Sequence, residues 1–139
     1  MGNNTKQIII GFFPGVWDLV HIGHILALKE AKQHCDILIV GIKKTTIDQP
    51  RKNKPIMTLE ERKIALEGVR YVDEIVEYET EEELYDMDLT MEVNVRFMGE
   101  DHRGQKHHPI KAEVVYITRN HNYSTSEIRR RIAEAERNK

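Results

Sequence analysis

Hydrophobic residues in this chain gather into short apolar runs, and these runs alternate with longer segments of helical periodicity. The apolar runs are rich in Ile and Val and predict five β-strands. The predicted strands are residues 7–13, 36–42, 74–77, 94–98 and 113–117. Several runs are apolar throughout, which is typical of strands in a sheet that is covered on both faces.

The segments between the strands have the apolar spacing of amphipathic helices. The predicted helices are residues 22–34, 59–69, 81–88 and 125–137. Three of them open with a Thr/Ser-x-x-Glu capping box, which begins at Thr58, Thr80 and Ser124. Strands that alternate with helices predict an α/β fold, a Rossmann-like three-layer sandwich with a five-stranded, mostly parallel sheet. No Gly-x-Gly-x-x-Gly fingerprint follows the first strand, so dinucleotide redox binding is disfavoured.

Composition adds few constraints. The 139 residues, 40% hydrophobic and 32% charged, fit one domain spanning 1–139. The net charge of -2 gives no basic field that would favour nucleic acid as a partner, and no apolar segment has membrane-spanning length. The first residues contain no signal-peptide apolar region, and the single Cys35 cannot form an internal disulfide. We therefore expect a cytoplasmic protein with no nucleic-acid or membrane partner.

The segment His21-Ile22-Gly23-His24 lies between the first strand and the first helix. Two imidazoles three residues apart share one face of a helix start, where backbone N–H groups and the helix dipole favour anions. We predict that this segment binds the phosphates of a nucleoside triphosphate, and that Gly23 lets a phosphate approach the backbone. The alternatives are an ordinary pair of surface or core histidines, or half of a metal site.

Four stretches of the chain together carry a resemblance to a known family. They are Gly-Val-Trp-Asp-Leu-Val-His-Ile-Gly-His at 15–24, Arg-Tyr-Val-Asp-Glu at 70–74, Phe-Met-Gly-Glu-Asp at 97–101, and Arg119 with Ser-Thr-Ser at 124–126. In these motifs the chain resembles the cytidylyltransferases of the HxGH nucleotidyltransferase superfamily, most of all the glycerol-3-phosphate branch. Val16 stands where a small hydroxyl residue is often found in the family. Glu100-Asp101-His102 stands where the glycerol-3-phosphate branch has Asp-Asp-Trp. These departures leave the acceptor open.

The resemblance implies an enzyme that transfers CMP from CTP to a small phosphorylated alcohol, with glycerol 3-phosphate favoured. The products would be a CDP-linked alcohol and pyrophosphate. Mg²⁺ is expected because the charge of a triphosphate has to be neutralised. The resemblance also implies a homodimer formed through the region 70–73. An adenylyltransferase of the same fold that uses ATP, and a non-catalytic nucleotide-binding module, are the alternatives.

The candidate site residues fall into three groups, and no metal ligand is predicted. The predicted catalytic residues are His21, His24, Lys54 and Arg119. The predicted nucleotide-binding residues are Gly15, Val16, Trp17, His21, His24, Gly99, Asp101, Arg119, Ser124, Thr125 and Ser126. The predicted acceptor-binding residues are Lys52, Lys54 and Arg70.

Several of these residues also have a plain structural interpretation. The segment Ser-Thr-Ser at 124–126 is an N-cap, whose spare hydroxyl and N–H groups would in addition bind the β- and γ-phosphates. Trp17 is equally consistent with a core side chain. Asp18 is expected to orient its loop rather than to bind metal, and Asp73 to cap or orient the next strand. Arg62 is a weaker acceptor candidate, and the stretches 107–108 and 129–131 are interpreted as solvated.

Overall fold

The computed structural model describes residues 7–44, 54–104, 109–118 and 123–139. Five strands form one sheet in which all the neighbouring pairs are parallel. They are β1 Ile10–Gly15, β2 Ile37–Lys43, β3 Glu74–Tyr78, β4 Val95–Gly99 and β5 Glu113–Ile117. The strand order is β3-β2-β1-β4-β5. The predicted Rossmann-like α/β fold is thereby confirmed.

Four α-helices connect or follow the strands at the predicted places. They are α1 Ile22–Lys32, α2 Leu59–Glu67, α3 Glu81–Thr90 and α4 Thr125–Arg137, and a short 3-10 turn covers Glu100–His102. The hydroxyls of Thr58, Thr80 and Ser124 each accept a hydrogen bond from the N–H three residues on. The three predicted N-caps therefore begin α2, α3 and α4.

The core lies on both faces of the sheet and makes the three layers. One cluster packs between the sheet and the helices α1 and α2, and it includes Phe13, Leu28, Val40, Leu66 and Phe97. A second cluster packs between the opposite face and α3, and it includes Phe12, Ile39, Tyr78 and Leu84. Neighbouring residues of one strand thus enter different clusters, as the pleat of a strand requires.

The first strand differs from the prediction, because it begins at Ile10 rather than at residue 7 and continues through Pro14 to Gly15. The predicted strand ended at Phe13, before Pro14 and Gly15. The register of β1 with β4 covers Gly11 and Phe12, whereas its register with β2 extends to Gly15. Pro14 thus lies in a part of β1 that is in register with β2 but not with β4. A strand tolerates proline best at such a position, because one side of the residue needs no hydrogen bond to a neighbouring strand.

The sheet order reverses at β1, since the chain runs outward on one side to β2 and β3 and on the other to β4 and β5. In open α/β sheets the loops on the two sides of such a reversal leave in opposite directions, and ligands bind in the crevice between them at the carboxyl edge. No helix in the described part of the chain is long and apolar enough to span a bilayer.

Candidate active site

The first helix begins with two histidine rings that are both bonded to its backbone. His21 is the N-cap of α1, and its Nδ1 atom accepts a hydrogen bond from the N–H of Gly23 at 3.0 Å. The Nδ1 atom of His24 accepts one from the N–H of His21 at 3.2 Å. The two ring centroids are 4.1 Å apart, so the rings form one unit at the helix start.

These hydrogen bonds determine which ring nitrogen carries the proton. A nitrogen that accepts an N–H bond cannot itself be protonated, so the neutral rings of His21 and His24 carry their protons on Nε2. Each Nε2–H group is then a donor that takes no part in the hydrogen bonds of the ring to the helix backbone. The local fold of α1 thus engages the Nδ1 atoms of both rings, near the edge where the sheet order reverses, and not their Nε2–H groups.

The amino-terminal end of α4 meets this pair. The Nε2 atom of His21 lies 3.4 Å from Oγ1 of Thr125, and that hydroxyl lies 3.4 Å from the carbonyl oxygen of Asp18. A Cβ atom built on Gly23 would lie 2.8 Å from the His21 ring and 3.0 Å from the carbonyl oxygen of Tyr123. Gly23 therefore lets α4 approach α1, and the close approach of a phosphate to its backbone stays a prediction.

Two helix amino termini consequently face the same place, which makes it favourable for an anion. The first turn of α1 contains no acidic residue. The first turn of α4 contains Glu127, whose carboxylate forms ion pairs with Arg130 and Arg131 on the outer side of that helix. Ser124 caps α4, and Ser126 is exposed in its first turn. The predicted Ser-Thr-Ser segment is thus placed beside the two histidines.

The loop between β1 and α1 is held in a conformation that most side chains avoid. Trp17 and Leu19 have φ angles of 57° and 50°, and positive φ in a bulky residue costs of the order of 1 kcal/mol or more. The Trp17 ring is buried, stacks edge-on against Phe13 and donates from Nε1 to the carbonyl oxygen of Gly41 at 3.0 Å. Trp17 is therefore a core side chain. The predicted contact of Trp17 with the nucleotide would have to come from its backbone.

Gly15 and Val16, two other predicted nucleotide-binding residues, help to fix the conformation of the chain before Trp17. A Cβ atom on Gly15 would lie 3.1 Å from the Trp17 ring, so a side chain at this position would crowd the indole. The carbonyl oxygen of Val16 accepts a hydrogen bond from the guanidinium of Arg62 at 2.9 Å. Gly15 and Val16 thus lie at the predicted nucleotide edge and shape it.

Asp18 connects this loop to two other parts of the chain. Its carboxylate is buried and accepts hydrogen bonds from the N–H groups of Ile56 and Met57, at 2.8 and 3.0 Å, and from Arg129 at 3.1 Å. Burial alone would raise the pKa of Asp18, but the backbone N–H of Met57, that of Ile56 and the Arg129 guanidinium together lower the pKa below its ordinary value. The predicted orienting role of Asp18 agrees with these contacts.

Two arginines, the weaker acceptor candidate Arg62 and Arg129, have structural positions that the sequence did not predict. Arg62 is 2% exposed and donates to the carbonyl oxygens of Val16, Lys43 and Lys44, so it ties the β1 loop to the end of β2. Desolvation lowers the pKa of Arg62, while Asp18 and Tyr78 act in the opposite direction. Arg129 was interpreted as solvated, and this is wrong because its guanidinium binds the buried Asp18.

A sequence signal existed for both arginines. Arg62 occupies the same face of α2 as Leu59 and Leu66, that is, an inward position of the helical repeat. Arg129 follows Thr125 by four residues, so both lie on the face of α4 that meets α1.

The remaining candidates are distributed over both edges of the sheet. Gly99 ends β4 at the carboxyl edge, and Asp101 lies in the 3-10 turn that follows. Lys54 is exposed, and its carbonyl oxygen accepts from Arg129 at 3.3 Å. Lys52, Arg119 and residues 107–108 lie outside the described residues.

Arg70 is not brought to this site. It lies between α2 and β3, and its guanidinium stacks on the neighbouring Tyr71. Asp73, three residues on, receives the N–H of Leu38 at the start of β2 and an ion pair from Lys32 at the end of α1. Arg70 therefore lies toward the amino edge of the sheet, whereas His21 follows the carboxyl end of β1. The contact of Arg70 with the acceptor phosphate stays a prediction.

The described residues do not themselves form a cage for Mg²⁺. No group of three or more His, Cys, Asp or Glu side chains stands together among them in a way that could hold a metal ion. Asp18, the carboxylate near the histidines, already binds two N–H groups and an arginine. A hard cation at this edge would therefore need oxygen ligands from a bound triphosphate.

Comparison with known proteins gives a consistent picture. A family model described as cytidylyltransferase-like matches residues 12–131. The glycerol-3-phosphate cytidylyltransferase of Bacillus subtilis (strain 168) is 36% identical over 121 residues, which are 86% of this chain and 93% of that protein. The FAD synthase of Pyrococcus abyssi (strain GE5 / Orsay) is 32% identical in an alignment of 145 positions that covers 96% of this chain and 96% of that protein.

A solved structure supports the fold independently. The crystal structure of the lipopolysaccharide core biosynthesis protein from Thermoplasma volcanium GSS1 superposes on this chain with a TM-score of 0.69. The superposition covers 83% of this chain and 100% of that one, at 20% sequence identity. At this identity the likeness concerns the arrangement of strands and helices.

Proposed function

The chain belongs to the cytidylyltransferase-like family of nucleotidyltransferases, and we propose that it transfers CMP from CTP to a small phosphorylated alcohol. Glycerol 3-phosphate is the acceptor we favour, because the glycerol-3-phosphate cytidylyltransferase of Bacillus subtilis aligns over 86% of this chain and 93% of its own length. The products are then a CDP-linked alcohol and pyrophosphate.

The observation that carries this proposal is the meeting of His21 with Thr125. It combines two Nε2–H donors, a hydroxyl and two helix amino termini around one place. Such a place suits a triphosphate better than a metal or a neutral ligand, since each of its groups donates hydrogen bonds or carries positive partial charge. The α-phosphate would bind at the histidines, and the β- and γ-phosphates at the start of α4.

The reaction needs no covalent intermediate. An oxygen of the acceptor phosphate attacks the α-phosphorus, the bond from that phosphorus to the oxygen bridging to the β-phosphate breaks, and pyrophosphate leaves with the bonding electrons. The Nε2–H groups of His21 and His24 donate to the oxygens of the α-phosphate as negative charge builds on them. Because the helix start orients both rings beforehand, little reorganisation is required during the reaction.

The acceptor would enter from the side of Lys54, whose ammonium group would neutralise its phosphate. On the basis of the sequence motifs, we include Lys52 among the acceptor-binding residues and Arg119 among the catalytic and nucleotide-binding residues. On the same basis, Gly99 and Asp101 would recognise the base. CTP would bind as its magnesium complex, with the ion carried by triphosphate oxygens. A homodimer through the region 70–73 completes the proposal, and the exposure of Arg70 at the far edge of the sheet is compatible with it.

A second candidate uses a different nucleotide. The FAD synthase of Pyrococcus abyssi covers 96% of this chain, so a relative whose name indicates another product shares nearly the whole fold. An adenylyltransferase that uses ATP would employ the same histidines and the same helix starts. The choice between the two nucleotides depends on contacts to the base.

The test is pyrophosphate release from CTP or ATP with magnesium, in the presence of glycerol 3-phosphate, phosphocholine or phosphoethanolamine. We expect release with CTP and glycerol 3-phosphate, a CDP-linked product by mass spectrometry, and no release after chelation of magnesium. Turnover with ATP and not with CTP would establish the second candidate. Tight CTP binding without pyrophosphate release from any acceptor would indicate a nucleotide-binding module.

A further inference from the structure

Arg129 extends from α4 to the segment that precedes α2. Its terminal nitrogen Nη2 lies 3.1 Å from Oδ2 of Asp18 and 3.3 Å from the carbonyl oxygen of Lys54. The side chain of Arg129 is 27% exposed, so most of it is shielded from solvent. A shielded charged hydrogen bond is stronger than one in water, and this contact is therefore a firm connection between distant segments.

The carboxylate of Asp18 completes the connection. Its two oxygens accept the N–H groups of Ile56 and Met57, so the backbone just before α2 is fastened at two successive residues. The backbone carbonyl of Asp18 also receives the Thr125 hydroxyl. One residue of the β1 loop thus joins the start of α4, on the triphosphate side, to the stretch 54–57 on the acceptor side.

Removing Arg129 would affect the acceptor side more than the triphosphate side. Asp18 is 5% exposed, and a carboxylate at such burial needs its cation. Without the guanidinium, Asp18 would draw in water and the carbonyl of Lys54 would lose a donor. The His21 ring and the Ser124 cap are held by bonds within α1 and α4 that do not involve Arg129, and the Thr125 hydroxyl bonds the backbone carbonyl of Asp18 and not its carboxylate.

We propose that Arg129 is a positioning residue for the acceptor: through Asp18 and the carbonyl of Lys54 it fixes the Lys54 side of the site relative to the histidines. The inference deepens the proposed function and rests on it. A different role for Arg129, direct binding of the triphosphate from the face of α4 that also carries Thr125, makes the opposite kinetic prediction. The two roles are separable because the enzyme has two substrates.

The experiment compares Arg129→Ala with Arg130→Ala in the full chain. Arg130 is the neighbouring arginine on α4, is exposed, and pairs with Glu127 and Glu134 on its own helix. For Arg129→Ala we expect KM for glycerol 3-phosphate to rise about tenfold to a hundredfold, with KM for CTP changed less than about twofold. Arg130→Ala should match the wild type in both constants.

Amide hydrogen exchange supplies a readout that does not depend on turnover. In Arg129→Ala the amides of Ile56 and Met57 should exchange faster, whereas in Arg130→Ala they should keep their protection. Unchanged exchange in Arg129→Ala would overturn the proposal, and so would a raised KM for CTP with a normal KM for the acceptor. A wild type inactive with CTP and every acceptor would instead overturn the proposed function, and the exchange data would still decide whether Arg129 fastens this segment.

Discussion

The Nε2 atom of His21 lies 3.4 Å from the Oγ1 atom of Thr125, although 104 residues separate the two along the chain. The contact joins the start of α1 to the start of α4, and with them the two regions of the sequence predicted to bind phosphate. Gly23 makes the approach possible, because a side chain there would collide with the carbonyl oxygen of Tyr123.

The first prediction separates the chemical role of the histidines from their capping role. His21→Asn and His24→Asn each keep an oxygen that can accept the backbone N–H but remove the imidazole donor, and Asn is a good N-cap. We expect kcat with CTP to fall about a hundredfold or more in each variant, while the thermal midpoint stays near that of the wild type. Steady-state kinetics and thermal unfolding measure the two effects.

His34→Asn is the matched control, since this exposed histidine follows the end of α1. Its kinetics should equal those of the wild type. If His21→Asn and His24→Asn also retained wild-type kcat, the histidines would have no part in the reaction.

The second prediction concerns the hydroxyl of Thr125. Thr125→Val removes the hydroxyl at nearly constant shape and leaves the N-cap Ser124 in place. Loss of one hydrogen bond to a charged phosphate should raise KM for CTP about tenfold. Thr125→Ser keeps the hydroxyl and should stay within about twofold of the wild type. Equal constants for the Val and Ser variants would exclude a contact between this hydroxyl and the nucleotide.

The third prediction tests the close approach at Gly23. In Gly23→Ala the new methyl group would lie 2.8 Å from the His21 ring, so the ring or the start of α4 has to shift. A misplacement of this kind should cost about tenfold to a hundredfold in kcat/KM.

Gly68→Ala is the control for Gly23→Ala. Gly68 ends α2 with a φ of -80°, and a Cβ atom there meets no neighbour closer than 3.4 Å. We expect full activity and a free energy of unfolding that is unchanged or raised by about 0.5 kcal/mol, because alanine restricts the unfolded chain. An active Gly23→Ala enzyme would show that α1 and α4 tolerate a wider separation.

The fourth prediction concerns the pH dependence of stability. Burial raises the pKa of Asp18, but the N–H groups of Met57 and Ile56 and the guanidinium of Arg129 lower the pKa by more. A carboxyl whose pKa is lower in the folded than in the unfolded state stabilises the fold above the unfolded pKa of about 3.9. That contribution disappears as the pH falls through the folded pKa.

Asp18→Asn should therefore lower the free energy of unfolding by about 2–4 kcal/mol at pH 7, and the difference from the wild type should shrink below about pH 4. Urea unfolding at a series of pH values measures this. Asp86→Asn, at an exposed position on α3, should follow the wild type throughout. A difference between Asp18→Asn and the wild type that stayed constant down to pH 2 would contradict the ionised, bonded state of Asp18.

The parts of the fold that depend on local pattern were predictable from the sequence. Apolar runs and capping hydroxyls identified five strands and four helices, because periodicity and caps are written into adjacent residues. The end of β1 was not predictable from the sequence. Pro14 is compatible with a strand only because of the register that β1 has with its two neighbours. Such a register is a property of the assembled sheet.

The same division holds in the candidate site. His21, His24 and Ser124 were predictable because they lie at the N-cap or in the first turn of a helix. The ion pair of Asp18 with Arg129 joins residues 111 positions apart, and the partners of Asp18 in the segment before α2 lie 38 and 39 positions away. Nothing in the neighbouring sequence of Asp18 indicates these partners. The inward register of Arg62 on α2 was the one signal for its burial, and its three carbonyl acceptors depend on the finished fold.

The most direct test of this account is a crystal structure with CTP, or a non-hydrolysable CTP analogue, and magnesium. The account predicts the Nε2 atoms of His21 and His24 within about 3.2 Å of oxygens of the α-phosphate, and the outer phosphates against the first turn of α4. A triphosphate bound at another edge of the sheet, or histidine rings that turn away from it, would contradict the account.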